Sequence, residues 1–283
     1  MQETVDERLS REIERIGKAA GATSVALALH DYKTDEVLSY RGDEWFHAAS
    51  TIKIPVLVGV FAAIHAGTIS LDSRVHVRNR FVSVANGRAF RVDGSRDADA
   101  SVHLQIGKTM RVRELARQMI VTSSNLATNL LVDLVGLDEL QATLDRFEIA
   151  GVDLHRGVED EAAYEAGISN RVTAMGLVSI LRLIEEGALS REASRGMLDI
   201  LHSQEFRSGI PAGLPSEARV ANKTGEISTV AHDAGLVYLP NREPYSIAIL
   251  TEWSPSVTSG RRDTLAAISR AAYRHLTDRV ADA

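Results

Sequence analysis

The sequence predicts an α+β fold: a five-stranded antiparallel sheet flanked by N- and C-terminal helices, with an all-helical lobe inserted between its strands. Three observations predict it. Two strand-like segments lie near the start of the chain and three near its end, amphipathic helical segments fill the middle, and both ends read as helices. At 283 residues the chain is long enough for one large domain or two lobes with sizeable cores.

At the N-terminus Val5, Leu9, Ile13, Ile16 and Ala20 recur at helical spacing, and Gly21 is a natural C-cap. Residues 24–30 and 37–40 bracket a turn-like 31–35 segment and predict a β-hairpin. From Ser50 to about His65 the pattern is a strongly apolar helix stopped by Gly67, with Pro55 in a first turn where its missing N–H has no partner to lose. Residues 111–121, 126–135, 138–147, 173–186 and 190–203 read as amphipathic helices between polar or glycine breaks. Segments 218–223, 234–238 and 245–251 read as strands, and 261–278 as the last helix. Residues 1–49 and 210–283 would then form one discontinuous α/β lobe, residues 50–209 the helical lobe, and the cleft between them the expected active site.

Composition excludes several functions. The net charge of −6 argues against a polyanion-binding surface, so no nucleic-acid partner is expected. The absence of cysteine excludes disulfides, a thiolate nucleophile and cysteine-ligated zinc. No run approaches the ~18 apolar residues of a membrane span, and the charged N-terminal segment has no apolar core of an export signal, so none is expected in the chain as given. The nine histidines form no His-Glu-x-x-His or similar close pair. Neither a Gly-x-Ser-x-Gly elbow nor a Gly-x-x-x-x-Gly-Lys-Ser/Thr loop occurs, and no metal or organic cofactor is expected.

Ser50-Thr-Ile-Lys53 sets a hydroxyl and an amine one helical turn apart, on the same face at the start of a helix. The amine can shuttle the hydroxyl proton, and the helix N-terminus favours developing negative charge. A capping serine and a solvated lysine would explain the motif alone, but the helix after Lys53 is almost wholly apolar, and a lysine there needs a partner. Ser123-Ser124-Asn125 sits between two predicted helices, where serine and asparagine are good N-caps. Lys223-Thr224-Gly225 ends a predicted strand, where glycine suits a turn. The combination carries more than its parts: 73 residues separate Ser50 from Ser123 and 100 separate Ser123 from Lys223, each motif at the element its chemistry requires.

This ordered trio resembles that of the class A β-lactamases and penicillin-binding proteins. The resemblance covers most of the chain, including residues 47–55 around Ser50 and residues 110–131 around Ser123. It implies that Ser50 attacks the acyl carbon, Lys53 takes its proton, and Ser123, assisted by Lys223, relays a proton to the leaving nitrogen. It also implies that Asn125 binds the substrate's amide side chain and that Thr224 and Lys223 hold its carboxylate. The backbone N–H groups of Ser50 and Glu226, next to Gly225, would form the oxyanion hole. Two lysines facing one cleft are expected to depress each other's pKa. The implied substrate is a small β-lactam or an acyl-peptide, and the implied assembly a monomer.

Two departures stand out. The family's Glu-x-x-Leu-Asn loop, whose glutamate activates the deacylating water, has no counterpart signature in residues 155–170; Glu159 is the best candidate by position, with Glu161 and Asp160 behind it. Where an arginine often meets the substrate carboxylate, this chain has His232 followed by Asp233, with Arg261 or Arg262 as the alternative cation. The leading expectation is β-lactam hydrolysis through acyl-Ser50. A D-Ala-D-Ala peptidase or esterase with slow β-lactam deacylation is the first alternative, and a ligand-sensing domain without turnover the second.

Overall fold

The computed structural model of the chain describes residues 5–278. Residues 1–4 and 279–283, and the side chains of Val5 and Asp6, lie outside the described residues.

Strands β1 (Ala22–Asp31), β2 (Glu36–Tyr40), β3 (Arg219–Ile227), β4 (Val230–Tyr238) and β5 (Tyr245–Trp253) form one antiparallel sheet in the order β3-β4-β5-β1-β2. β3 runs past the expected end at Lys223. Ile227 pairs with Val230 across a two-residue turn, so Lys223-Thr224-Gly225 lies within the strand, not at its exit. A single glycine does not end a strand when the residues beyond it still find partners.

The described helices are α1 (Val5–Ala20), α2 (Lys53–His65), α3 (Val112–Val121), α4 (Asn125–Val135), α5 (Leu137–Arg146), the short α6 (Glu161–Glu165), α7 (Ala174–Glu185), α8 (Arg191–His202) and α9 (Arg261–Asp278). Alternation divides the sheet into two faces. Val25, Leu27, Leu29, Ile247 and Ile249 pack with α1 and α9 through Ile13, Ile268 and Leu276. Ala26, Ala28, Ala234 and Ala248 face the other way, and their small side chains let α7 lie across the sheet.

α2 is apolar on every side, and each residue from Lys53 to Ala63 is buried, as expected for a helix through the middle of a core. Gly59 permits the contact with α5, since a β-carbon there would stand 2.2 Å from Leu140 Cδ2. The segment between β2 and β3 also holds short ladders the sequence does not announce: Arg74–His76 with Thr109–Arg111, Phe81–Val82 with Ala89–Phe90, and Arg171–Val172 between Phe46–His47 and Val152–Asp153. Runs of two or three residues are too short to show a period. Among the described residues no helix is long and apolar enough to cross a membrane.

Candidate active site

The expected helix at Ser50 begins differently. Ala49–Ile52 is a 3₁₀ turn and the α-helix starts at Lys53, so Ser50 stands on a tight turn at the mouth of α2. The turn is held from below by two histidines. The Ala49 N–H donates to His47 Nδ1 (3.0 Å), while His232 Nε2 donates to the His47 carbonyl (3.0 Å) and His232 Nδ1 accepts from Thr251 N (3.1 Å). Both ring nitrogens of His232 are thereby used, and burial lowers its pKa to about 4. His232 is a neutral strut under the Ser50 turn and not the cation that the sequence suggests for a substrate carboxylate. Arg261 is likewise spent, donating to the carbonyls of Val257, Ile227 and Ser228. Arg262 is the exposed alternative on the cleft rim, paired with Glu226 Oε2 at 2.8 Å.

Three of the residues around this turn and its partners adopt left-handed backbone without being glycine: Ala49 (φ 45°), Ser123 (φ 60°) and Glu159 (φ 59°). Such conformations cost about 1–3 kcal/mol each and persist where the surroundings over-determine them. At Ser123 the reason is visible. Its carbonyl and its hydroxyl both turn to one point, accepting from Lys53 Nζ at 2.7 and 3.1 Å, and Asn125 Oδ1 accepts a third bond at 2.7 Å. Helix capping falls instead to Ser124, whose hydroxyl accepts from Ala127 N and donates to Asp97 Oδ2. Asp97 also accepts from Asn125 N at 2.6 Å, holding the N-terminus of α4 in place.

Lys53 and Lys223 are completely buried, so they stand behind the cleft wall and do not face into it. Burial is the main reason Lys53 is lowered to about 7; the nearby carboxylates of Asp97 and Glu159 work against it. Lys223 is lowered well below the usual lysine value, again chiefly by burial and secondly by Lys53, with Asp233 opposing. The expected mutual repulsion of the two lysines is therefore a secondary cause at Lys223 and no part of the shift at Lys53. Lys223 Nζ donates to the Thr224 carbonyl at 2.8 Å. Burial also raises Asp233 to about 6, against bonds from Asn222 Nδ2 and Ile210 N.

β3 is the edge of the sheet, and it lies against the Ser50 turn. With Ile227 and Val230 closing a two-residue hairpin, antiparallel alternation aims the N–H of Glu226 off the free edge towards that turn. The Ser50 N–H has no acceptor among the described residues. The edge strand thus brings an outward main-chain donor towards the Ser50 turn, and backbone N–H groups of this kind can stabilise a developing oxyanion. Gly225 makes the approach possible: a β-carbon there would stand 2.9 Å from both Ser50 N and Thr51 N.

The cleft has a volume of about 910 Å³ and brings Ser50, Ser123, Asn125, Glu159, Thr224, Gly225 and Glu226 to one surface. Glu159, at 9% side-chain exposure, is not a solvated loop acid. Asn125 Nδ2 donates to its Oε1 at 2.6 Å and Asp93 N to its Oε2 at 3.0 Å. Asp160 caps α6 through Ala163 N and accepts from Val84 N, and Glu161 pairs with Arg96 at the surface. Sequence reasoning missed Asp97 and Asn129. Asn129 grips the main chain of Val158 from both sides, accepting from its N–H and donating to its carbonyl, each at 2.8 Å.

A model of the Beta-lactamase enzyme family matches residues 8–276. A beta-lactamase of Rhodobacter capsulatus is 29% identical over 208 residues, covering 69% of this chain and 66% of that protein. A beta-lactamase of Bacteroides uniformis is 26% identical over 278 residues, covering 94% and 90%. Among solved structures, a variant of the last common ancestor of Gram-negative bacteria class A beta-lactamase aligns with a TM-score of 0.83 at 25% identity, over 96% of this chain and 99% of that one. A mutant of PBP-A, solved as its acyl-enzyme complex with penicillin G, aligns with a TM-score of 0.80 at 25% identity, over 96% and 97%.

Proposed function

The chain belongs to the beta-lactamase enzyme family, and on that premise we propose that it is a serine hydrolase that opens the β-lactam amide through an acyl-Ser50 intermediate. The observation that carries this reading is the buried Lys53 amine, held near neutrality one turn from Ser50 and bonded to Ser123. A lysine at its ordinary pKa is almost wholly protonated at pH 7, and lowering it to about 7 makes the neutral amine available as a base.

Neutral Lys53 takes the proton of Ser50 as its Oγ attacks the carbonyl carbon. The oxyanion forms between the N–H groups of Ser50 and Glu226. The Ser123 carbonyl and Asn125 Oδ1 are acceptors only and take the two N–H groups of the neutral amine, which leaves its lone pair for the Ser50 proton and gives the ammonium a third N–H for Ser123 Oγ. Ammonium Lys53 donates to Ser123 Oγ, and Ser123 passes its own proton to the leaving nitrogen as the C–N bond breaks. Lys223 supports that transfer from behind the wall. Thr224, with Arg262 on the rim, receives the substrate carboxylate, and Asn125 meets the acyl side chain. This reading divides the chain into an α/β lobe of residues 1–49 and 210–283 and a helical lobe of residues 50–209, with the cleft between them.

Deacylation needs a second base, and Glu159 is the carboxylate at hand on the cleft wall. One observation favours a slower alternative, a penicillin-binding-protein-like peptidase or esterase that β-lactams block. Among the described residues no carboxylate bonds to Ser50 or Lys53, and both oxygens of Glu159 are already engaged. The lifetime of the adduct separates the two. If intact-protein mass spectrometry finds the wild type back at its free mass within seconds while penicillin is consumed, hydrolysis stands. An adduct that outlasts minutes gives the function to the alternative.

A further inference from the structure

We propose that Glu159 is a positioning residue that acts on Lys53 through Asn125, by fixing which end of the Asn125 carboxamide faces the amine. The inference rests on the reading of Ser50 as the acylated residue with Lys53 as its base.

A carboxamide has one end that accepts and one that only donates. Lys53 needs an acceptor: with Asn125 Oδ1 towards it, the amine has three hydrogen-bond partners, and with Nδ2 towards it, donor would face donor. Nothing within Asn125 chooses between these orientations. The choice comes from beyond it, where Glu159 Oε1 lies 2.6 Å from Nδ2 and can only accept. Lys53, Asn125 and Glu159 therefore form one chain of hydrogen bonds with a single consistent direction.

Glu159 is itself built to stay there. Its other oxygen accepts from Asp93 N at 3.0 Å, with Arg96 3.7 Å away. Its left-handed backbone follows Val158, whose main chain is gripped at both ends by Asn129. Asn125 and Asn129 are one turn apart on α4, so a single helix face sets both the loop and the amide it orients.

The charged groups facing Lys53 are Asp97 from the segment before α3, Glu159 from the loop before α6, and Lys223 from β3. Removing the Glu159 carboxylate takes away a nearby negative charge and releases the amide that accepts from the ammonium. Both changes disfavour protonated Lys53, so its pKa falls. Acylation requires the neutral amine, so the rate climbs with pH through the Lys53 pKa, near 7 in the wild type. In the variants this acidic limb moves to lower pH.

The test follows the acylation phase alone, as the appearance of the penicillin adduct by rapid-quench mass spectrometry between pH 5 and 9. Glu159→Leu is expected to shift the limb down by about one pH unit. Glu159→Gln, nearly isosteric and still able to accept from Nδ2, shifts it less, and Glu159→Asp restores it towards wild type. A purely structural role would lower the rate at every pH and leave the limb in place. Limbs that coincide in wild type, Leu and Gln variants, or that move upward, overturn the inference and leave Ser50 acylation standing. No adduct on the wild type with any β-lactam overturns the acyl-Ser50 reading itself.

Discussion

Replacing Lys53 with methionine is expected to slow acylation of Ser50 about 10²–10⁴-fold, the range for loss of a general base. The substitution isolates the chemistry because the site is wholly enclosed and the two side chains have similar length and volume. What disappears is the proton acceptor and the donor that Ser123 and Asn125 share. Asn125 keeps its backbone position, since the α4 terminus is held independently by Asp97 and Ser124, while Ser123 loses the donor that its carbonyl and hydroxyl share. The measurement is the second-order rate of adduct formation with a penicillin, taken alongside the thermal unfolding midpoint. An undiminished rate in a folded variant would remove Lys53 from the mechanism.

The second large effect is expected at Gly225. Its backbone is not left-handed, so alanine introduces no strain of its own, but the new β-carbon would stand 2.9 Å from the main-chain nitrogens of Ser50 and Thr51. Neither neighbour is a flexible side-chain end. The turn is anchored through His47 and His232, and β3 is paired along its length with β4, so the two must separate. Separation spreads the N–H groups of Ser50 and Glu226, and loss of one oxyanion donor costs about 10²–10³ in rate. Gly225→Ala is therefore expected to slow acylation by about that factor while the protein still binds the substrate. If penicillin acylates the variant at the wild-type rate, the edge of β3 has no part in holding the oxyanion.

Much of the scaffold was legible because it repeats. Helix α9 has the bounds its apolar spacing predicts, and α2 declares its burial by being apolar all round. The strand ends were less legible. Gly225 reads as a turn residue, yet it lets an edge strand pass close to the Ser50 turn, which only the neighbour 175 positions earlier explains. In the candidate site, the motifs mark Ser50, Lys53, Ser123 and Lys223 as candidates, and the apolar run after Lys53 announces its buried setting.

The supports were not legible in the same way. Asp97 caps α4 from 28 residues upstream, and nothing in its polar surroundings marks it. Asn129 did leave a signal. An asparagine within the buried stretch of α4 must find partners, and it finds the Val158 main chain. His232 could be recognised by position, but its charge depended on what its two nitrogens touch, and both are taken within the fold.

The Ser50 hydroxyl, which makes no hydrogen bond to any described residue and opens onto the cleft, is on this reading the atom that is acylated. That assignment is tested most directly by exposing wild type and Ser50→Ala to the same penicillin and weighing the intact proteins within the first turnover. The expected result is an added mass equal to the whole penicillin on the wild type, localised by peptide mapping to the segment containing Ser50, and none on the variant. Equal adducts on both proteins, or an adduct mapped to another residue, would contradict it.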